Sequence, residues 1–163
     1  MKKLLVLLAA VLALGALKLL PFRAQDAAKL LPVKTVIVTK SGDQYVVDVG
    51  AGVRAVGRTL SEALARLREE LSGTVFLPTA EQVVLTEPAE EAAEAVAEES
   101  AFRPAAGIYQ TPEPRPDANA LSAYLASHPS NYTVLDLRAA LAAGRAPALP
   151  RLIPADGGWR VDE

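Results

Sequence analysis

The sequence predicts an α/β (α+β) protein built from an N-terminal membrane helix, a small β-β-α-β module, an acidic linker and a small helix-helix-hairpin unit. Three observations predict it. One short amphipathic helix, TLSEALARLREEL from Thr59 to Leu71, has strand-like sequence on both sides; two capped helical stretches followed by a hairpin signal lie beyond residue 116; and a charge-free apolar run with a basic start opens the chain. A chain of 163 residues has room for one ordinary domain or two small ones.

Met1 to Phe22 begins with Lys2 and Lys3 and continues through fourteen uncharged residues, Leu4 to Leu17, before Lys18. If Lys18 snorkels to the interface, residues 4–22 approach the roughly 20 residues that a membrane helix needs. The expectation is an uncleaved anchor through the lipid bilayer. A cleaved signal peptide, with Val11-Leu12-Ala13 as its cleavage stretch, and a buried helix are the alternatives. Lys18, Arg23, Lys29 and Lys34 outnumber Lys2 and Lys3, so a lysine-arginine count does not fix orientation. The order of basic start and apolar core places the body outside the cytoplasm. Arg23 to Leu31 reads as a juxtamembrane helix that Pro32 ends.

The formal charge of -2 conceals an uneven distribution: +6 over residues 1–40, -1 over 41–80, -7 over 81–100 and 0 over 101–163. Charge of this kind marks segments and not a nucleic-acid footprint. Zero cysteines exclude disulfides, thiol nucleophiles, cysteine-zinc sites and a lipid-modified cysteine.

In the expected module of residues 33–86, Val33 to Lys40 and Gln44 to Val49 are rich in β-branched residues and flank the hairpin signal Ser41-Gly42-Asp43. The helix follows. Thr59 is its N-cap and Glu62 stands at the capping-box position. Leu60, Ala63, Leu64, Leu67 and Leu71 share one face, Glu62–Arg66 and Arg66–Glu70 form i,i+4 pairs on the other, and Gly73 ends the helix. Thr74 to Leu77 and Val83 to Thr86 are strands on either side of Pro78. The helix then crosses over to a strand and lays its leucines on one sheet face.

Gly50 to Thr59, GAGVRAVGRT, matches two phosphate-binding patterns loosely: Gly50, Gly52 and Ala55 for a dinucleotide loop, and Gly52, Gly57, Arg58 and Thr59 for a nucleoside-triphosphate loop. The first pair of glycines lies too far before the helix, and Arg58 replaces the compact lysine ammonium. A glycine-kinked strand end leading into a helix cap accounts for the same residues.

The run AVGRTLSEALARLREELSGTVFLPTAEQVVL resembles the first domain of the Ger(x)C spore-germination lipoproteins, in which a strand leads into a G-[KR]-T-x-x-E-A helix, an aromatic-containing short strand and a hydrophobic strand. Gly57, Arg58, Thr59, Glu62, Ala63, Phe76 and Val83 to Leu85 carry the likeness. The chain departs from that family in lacking the lipid-modified Cys with its following Trp-Asp, and in the length left for later domains. The resemblance implies a membrane-tethered extracytoplasmic module of an endospore-forming bacterium and brings no catalytic residues.

Residues 87–116 read as a linker. Glu87 to Ser100 is almost only alanine and glutamate; alanine favours helix, the apolar face is thin, and like charges repel at i,i+4 along Glu87, Glu91, and Glu90, Glu94, Glu98, so a partly helical, solvated spacer is expected, while Phe102 to Pro116 carries prolines at 104, 112, 114 and 116. Residues 117–163 read as a second unit. Asp117 caps a helix to Ser127 with Leu121, Tyr124 and Leu125 inward, and Thr133 caps another with Asp136 at the box position and Gly144 at its end. Leu149 to Ile153 and Trp159 to Val161 flank the turn Asp156-Gly157-Gly158, and Trp159 anchors a small core.

Two helices and a hairpin resemble part of a winged helix, which makes a cytoplasmic DNA-binding or regulatory adaptor the rival function; the second helix offers only Arg138 to a phosphate. His128 reads as structural at a helix end, and Asp48 is the carboxylate closest to a buried strand position. No catalytic, metal or cofactor constellation is legible, and no cofactor, nucleic acid or small-molecule ligand is expected. The expected function is a non-enzymatic, membrane-anchored extracytoplasmic interaction or scaffold module, envelope- or spore-associated, with an unknown protein partner.

Overall fold

The structure is a computed structural model, and it describes residues 31–50, 52–70 and 75–162. The expected membrane anchor, the juxtamembrane helix, Leu71 and Gly73 lie outside the described residues. No helix among the described residues is long and apolar enough to cross a membrane.

The elements in order are β1 (Leu31–Pro32), β2 (Thr35–Ser41), β3 (Gln44–Asp48), β4 (Arg54–Gly57), α1 (Leu60–Glu70), β5 (Val75–Phe76), a 3-10 turn (Leu77–Thr79), β6 (Gln82–Thr86), α2 (Glu90–Glu98), β7 (Gly107–Thr111), α3 (Ala118–Leu125), α4 (Val134–Ala142), β8 (Arg151–Ala155) and β9 (Gly158–Asp162). Seven strands form one mixed sheet in the order β4-β3-β2-β6-β7-β8-β9, while β1 and β5 make a separate short parallel pair. The inner strands β2, β6, β7 and β8 run parallel, and antiparallel hairpins close both ends. Pro78 sits in the 3-10 turn between β5 and β6, where its missing N–H breaks no ladder.

Two apolar clusters lie on opposite sides of this sheet. On the first side Val36, Val38, Val47, Val83, Leu85 and Ile108 meet Leu60, Ala63, Leu64 and Leu67 of α1, Ala92, Ala93 and Val96 of α2, and Val134 and Leu137 of α4. On the second, Ile37, Val84, Tyr109 and Leu152 meet Ala118, Leu121 and Leu125 of α3. Alternation along each strand produces this division, since neighbouring residues point to opposite faces. We call the two sides the three-helix face and the single-helix face.

The linker expected over 87–116 is corrected. Its acidic half is α2, whose Ala92, Ala93 and Val96 are buried against the sheet, and its proline-rich half contains β7, which is paired on both sides. Alanines are small enough for the helix to lie close on the strands, and that burial overcomes the repulsion among its solvent-facing glutamates. The two units expected on either side of the linker are therefore parts of one sheet, and the C-terminal hairpin is its edge, not a free wing.

Candidate functional site

The distinctive geometry lies where β7 meets β8. Only Gln110 and Arg151 stand in register there, whereas β6 and β7 share five residue pairs. Upstream of Gln110 the neighbour of β7 is not β8 but the segment before α4. Ile108 N–H donates to Tyr132 O at 3.0 Å, Val134 N–H to Ala106 O at 2.9 Å, and Gly107 forms an antiparallel bridge with Thr133. Downstream, Gln110 N–H donates to Pro150 O at 3.0 Å, and its side-chain amide donates to Leu149 O at 3.2 Å. The partner of β7 thus changes midway along the strand.

A cavity of about 370 Å³ opens at this change, lined among others by Tyr109, Ser130, Tyr132, Leu149 and Val161. Its polar groups are mostly engaged in holding its walls. Tyr109 O–H donates to His128 O at 2.7 Å, and burial pushes the Tyr109 phenol up to about 12. The Ser130 hydroxyl donates to Tyr132 O and accepts from Tyr132 N–H at 2.8 and 3.0 Å, a local turn bond of the kind serine favours. Burial also raises the Tyr132 phenol.

Two further hollows flank the strap that carries the chain from α4 to β8. A groove of about 690 Å³ separates it from α2, with Ala89, Glu90, Ala93 and Glu94 on one wall and Gly144 to Pro147 with Leu141 and Leu149 on the other. A third hollow, of about 360 Å³, lies between the strap and α4, beside Tyr132, Asp136 and Arg145. The strap starts from a Schellman-type helix end. Gly144 adopts φ +65°, its N–H donates to Leu141 O, and Arg145 N–H donates to Ala140 O, each at 2.9 Å. Beyond this cap, residues 145–150 have no regular structure and are exposed or half-buried.

The glycine-rich stretch does not build a phosphate loop. Gly50 and Gly52, at φ +81° and +77°, turn the chain between β3 and β4, and the four residues Arg54–Gly57 form a strand before α1 begins. The N-terminus of α1 is already satisfied by its own side chains. Arg58 N–H donates to Glu62 Oε2 at 2.8 Å and Glu62 N–H to Thr59 Oγ1 at 3.1 Å. The capping contact is displaced by one residue, since Glu62 reaches Arg58 and not Thr59. That backbone bond is the main cause of the lowered Glu62 pKa.

The other singled-out residues have structural partners. Asp48 lies half-buried on the single-helix face and accepts from Gly50 N–H at 2.8 Å, which fixes the turn. The His128 ring stacks on Tyr124 with centroids 4.1 Å apart at the end of α3. Arg138, on which the DNA-binding reading depends, points into the protein: its guanidinium donates to Ala97 O and Glu99 O, both at 2.8 Å, and so pins α4 to the C-terminal end of α2. The Glu99 carboxylate accepts in turn from Ser61 of α1 at 2.7 Å. Sequence reasoning missed Tyr109, Ser130, Tyr132 and the strap; the run Ile108-Tyr109-Gln110-Thr111, aromatic and β-branched between Gly107 and Pro112, carried a strand signal that the surrounding prolines obscured. No family model matches the chain, and no curated protein or solved structure matches it.

Proposed function

We propose that this chain is a membrane-tethered interaction module, its body outside the cytoplasm, that receives a segment of a partner protein beside the strap between α4 and β8. The observation that carries the reading is the groove of about 690 Å³ between α2 and that strap. Its lining mixes apolar residues, Ala89, Ala93, Leu141, Pro147 and Leu149, with the polar Gln110, and Glu90 and Glu94 line one rim with charge opposite Arg145. Such a lining suits an extended chain that buries apolar side chains and orients by charge at the rim.

The tether rests on the apolar run of residues 4–17 and its lysine flanks. The envelope- or spore-associated setting rests on the likeness of residues 55–85 to the first domain of the Ger(x)C lipoproteins. The rival adaptor reading draws little support from α4, because Arg138 is spent on the carbonyls of Ala97 and Glu99.

The test is a topology measurement. A reporter active only outside the cytoplasm is fused after Glu163, and the membrane fraction is probed for the full-length fusion. An active, full-length, membrane-bound fusion is expected. An inactive fusion places the body in the cytoplasm and overturns the proposal.

A further inference from the structure

The sheet has two edges, and they are treated differently. At the β4 edge, the Arg66 guanidinium reaches out from α1 and donates to Val56 O at 2.8 Å, so a cationic side chain occupies an outward carbonyl. That is a recognised way of blunting an edge. At the other end β9 is the last strand, and among the described residues no backbone group bonds to its outer side.

The hairpin register says which β9 groups are free. The turn Asp156-Gly157 is closed by the pair Ala155 and Gly158, with Pro154 opposite Trp159 and Ile153 opposite Arg160. The closing pair of a two-residue hairpin exchanges both backbone bonds, and such pairs alternate along the ladder. Gly158, Arg160 and Asp162 therefore turn their N–H and C=O toward β8, while Trp159 and Val161 turn theirs outward. Pro154, which has no N–H to give, falls at a non-bonded pair as this phase requires. The side chains divide the same way: Trp159 and Val161 are half-buried on the single-helix face, and Arg160 and Asp162 are exposed on the other.

We propose that β9 pairs antiparallel with β9 of a second copy of this chain, about a twofold axis at Val161. Val161 exchanges both backbone bonds with its symmetry mate, and the two valine side chains meet on the single-helix face. Arg160 stands opposite Asp162 twice, at the non-bonded positions where facing side chains come closest. Charge selects this register. Sliding by one residue on each strand sets Arg160 against Arg160 or Asp162 against Asp162, and like charges directly opposite are unfavourable. The contact is isologous, so it closes at two copies and joins the two seven-stranded sheets into one. It stands independently of the membrane tether and of the groove.

The chain has no cysteine, so introduced thiols report on this contact alone. Full-length Arg160→Cys and Asp162→Cys variants are prepared in mild detergent and oxidised separately and as an equimolar mixture. A disulfide dimer is expected in the mixture and not from either variant alone, because only unlike positions face each other within the Cα separation that a disulfide spans. Cross-linking of Arg160→Cys with itself overturns the register, and no cross-link in any sample overturns the pairing. Charge reversal supplies a second readout by light scattering. Asp162→Arg weakens association about tenfold or more, and the double variant Arg160→Asp/Asp162→Arg restores it to within about threefold of the parent. A parent chain that stays at monomer mass across the concentration range, or a double variant no tighter than Asp162→Arg, overturns the proposal; unchanged circular dichroism of each variant shows that the fold is kept.

Discussion

The two faces of the sheet are closed by different means. On the three-helix face, α1, α2 and α4 cover the strands and are laced together by polar contacts at their ends: Arg138 bonds the last carbonyls of α2, and Glu99 accepts from Ser61 of α1. On the single-helix face, α3 is the only helix among the described residues, and the proline-bearing loop before it adds to the cover, where Pro114 to Pro116 enclose a small cavity of about 180 Å³ over Ile37, Thr39 and Val46. Where helix backbone packs directly on a strand, added volume is resisted, whereas a site bounded by loops and flexible side chains yields to it.

Substitutions that add volume or charge break this comparison most directly. The largest effect is expected from Ala92→Glu, which places a carboxylate at a fully buried position between α2 and the sheet. It should cost about 4 kcal/mol in urea unfolding, a size typical of burying an unpaired charge. If α2 were a solvated spacer, the same change would be neutral.

A matched pair of glycines sharpens the point. A Cβ on Gly57, on the three-helix face, lies 2.4 Å from Ala63 N and 2.9 Å from Thr59 O, all backbone of the α1 start. A Cβ on Gly107, on the single-helix face, lies 2.4 Å from Gln82 Oε1, the far end of a side chain. Gly57→Ala should therefore cost about 3 kcal/mol and Gly107→Ala about 1 kcal/mol, both read from chemical denaturation. Equal costs would mean that the two faces are equally rigid.

Arg138→Gln removes the charged donor that joins α4 to α2. It leaves two carbonyls short of a strong partner, for an expected loss of about 2 kcal/mol. Hydrogen exchange should show the loss as faster opening of α2 and α4, with α3 unchanged.

The smallest effects are pH-dependent: the buried phenols act at the alkaline end of the scale and the capping carboxylates at the acid end. Tyr109, on the single-helix face, has its pKa raised to about 12. Its contribution is complete below the ordinary tyrosine value of about 10 and is lost as pH rises from there through about 12. Glu62 and Asp136, at the N-termini of α1 and α4, have lowered values, caused first by the Arg58 backbone bond and the Thr133 side-chain bond respectively. Their contributions are complete above the ordinary carboxylate values of about 4 and are lost as pH falls through the lowered ones. Thermal unfolding followed against pH should lose part of its alkaline slope in Tyr109→Phe and part of its acid slope in Asp136→Asn.

How much could be read in advance follows the range of the interactions. The cap of α4 was legible residue for residue: Thr133 Oγ1 accepts from Asp136 N–H, and Asp136 Oδ2 accepts from Thr133 N–H. So were Asp117 as the cap of α3, Gly144 at the end of α4, and the buried stripe Leu60, Ala63, Leu64 and Leu67. Each depends on residues within a few positions of one another. The box at α1 was legible in its participants and displaced by one residue in its geometry, a detail set by how β4 enters the helix. In contrast, nothing in the alanines and glutamates of residues 90–98 announces a core helix. Neither the strap hollows nor the midway change of partner along β7 leaves a local mark either, since each is made by segments some twenty to sixty residues apart.

By itself, then, the sequence determined the caps, the turns, the apolar stripes and the hairpins, because the residues that make their hydrogen bonds or set their periodicity are near neighbours in the chain. The tertiary structure decided that α2 is a helix of the core, that β7 is an inner strand, and that the two expected units share one sheet. The physical reason is that an alanine face or a five-residue strand gains little by itself, and becomes stable only when a neighbouring sheet removes its apolar surface from water and pairs its backbone.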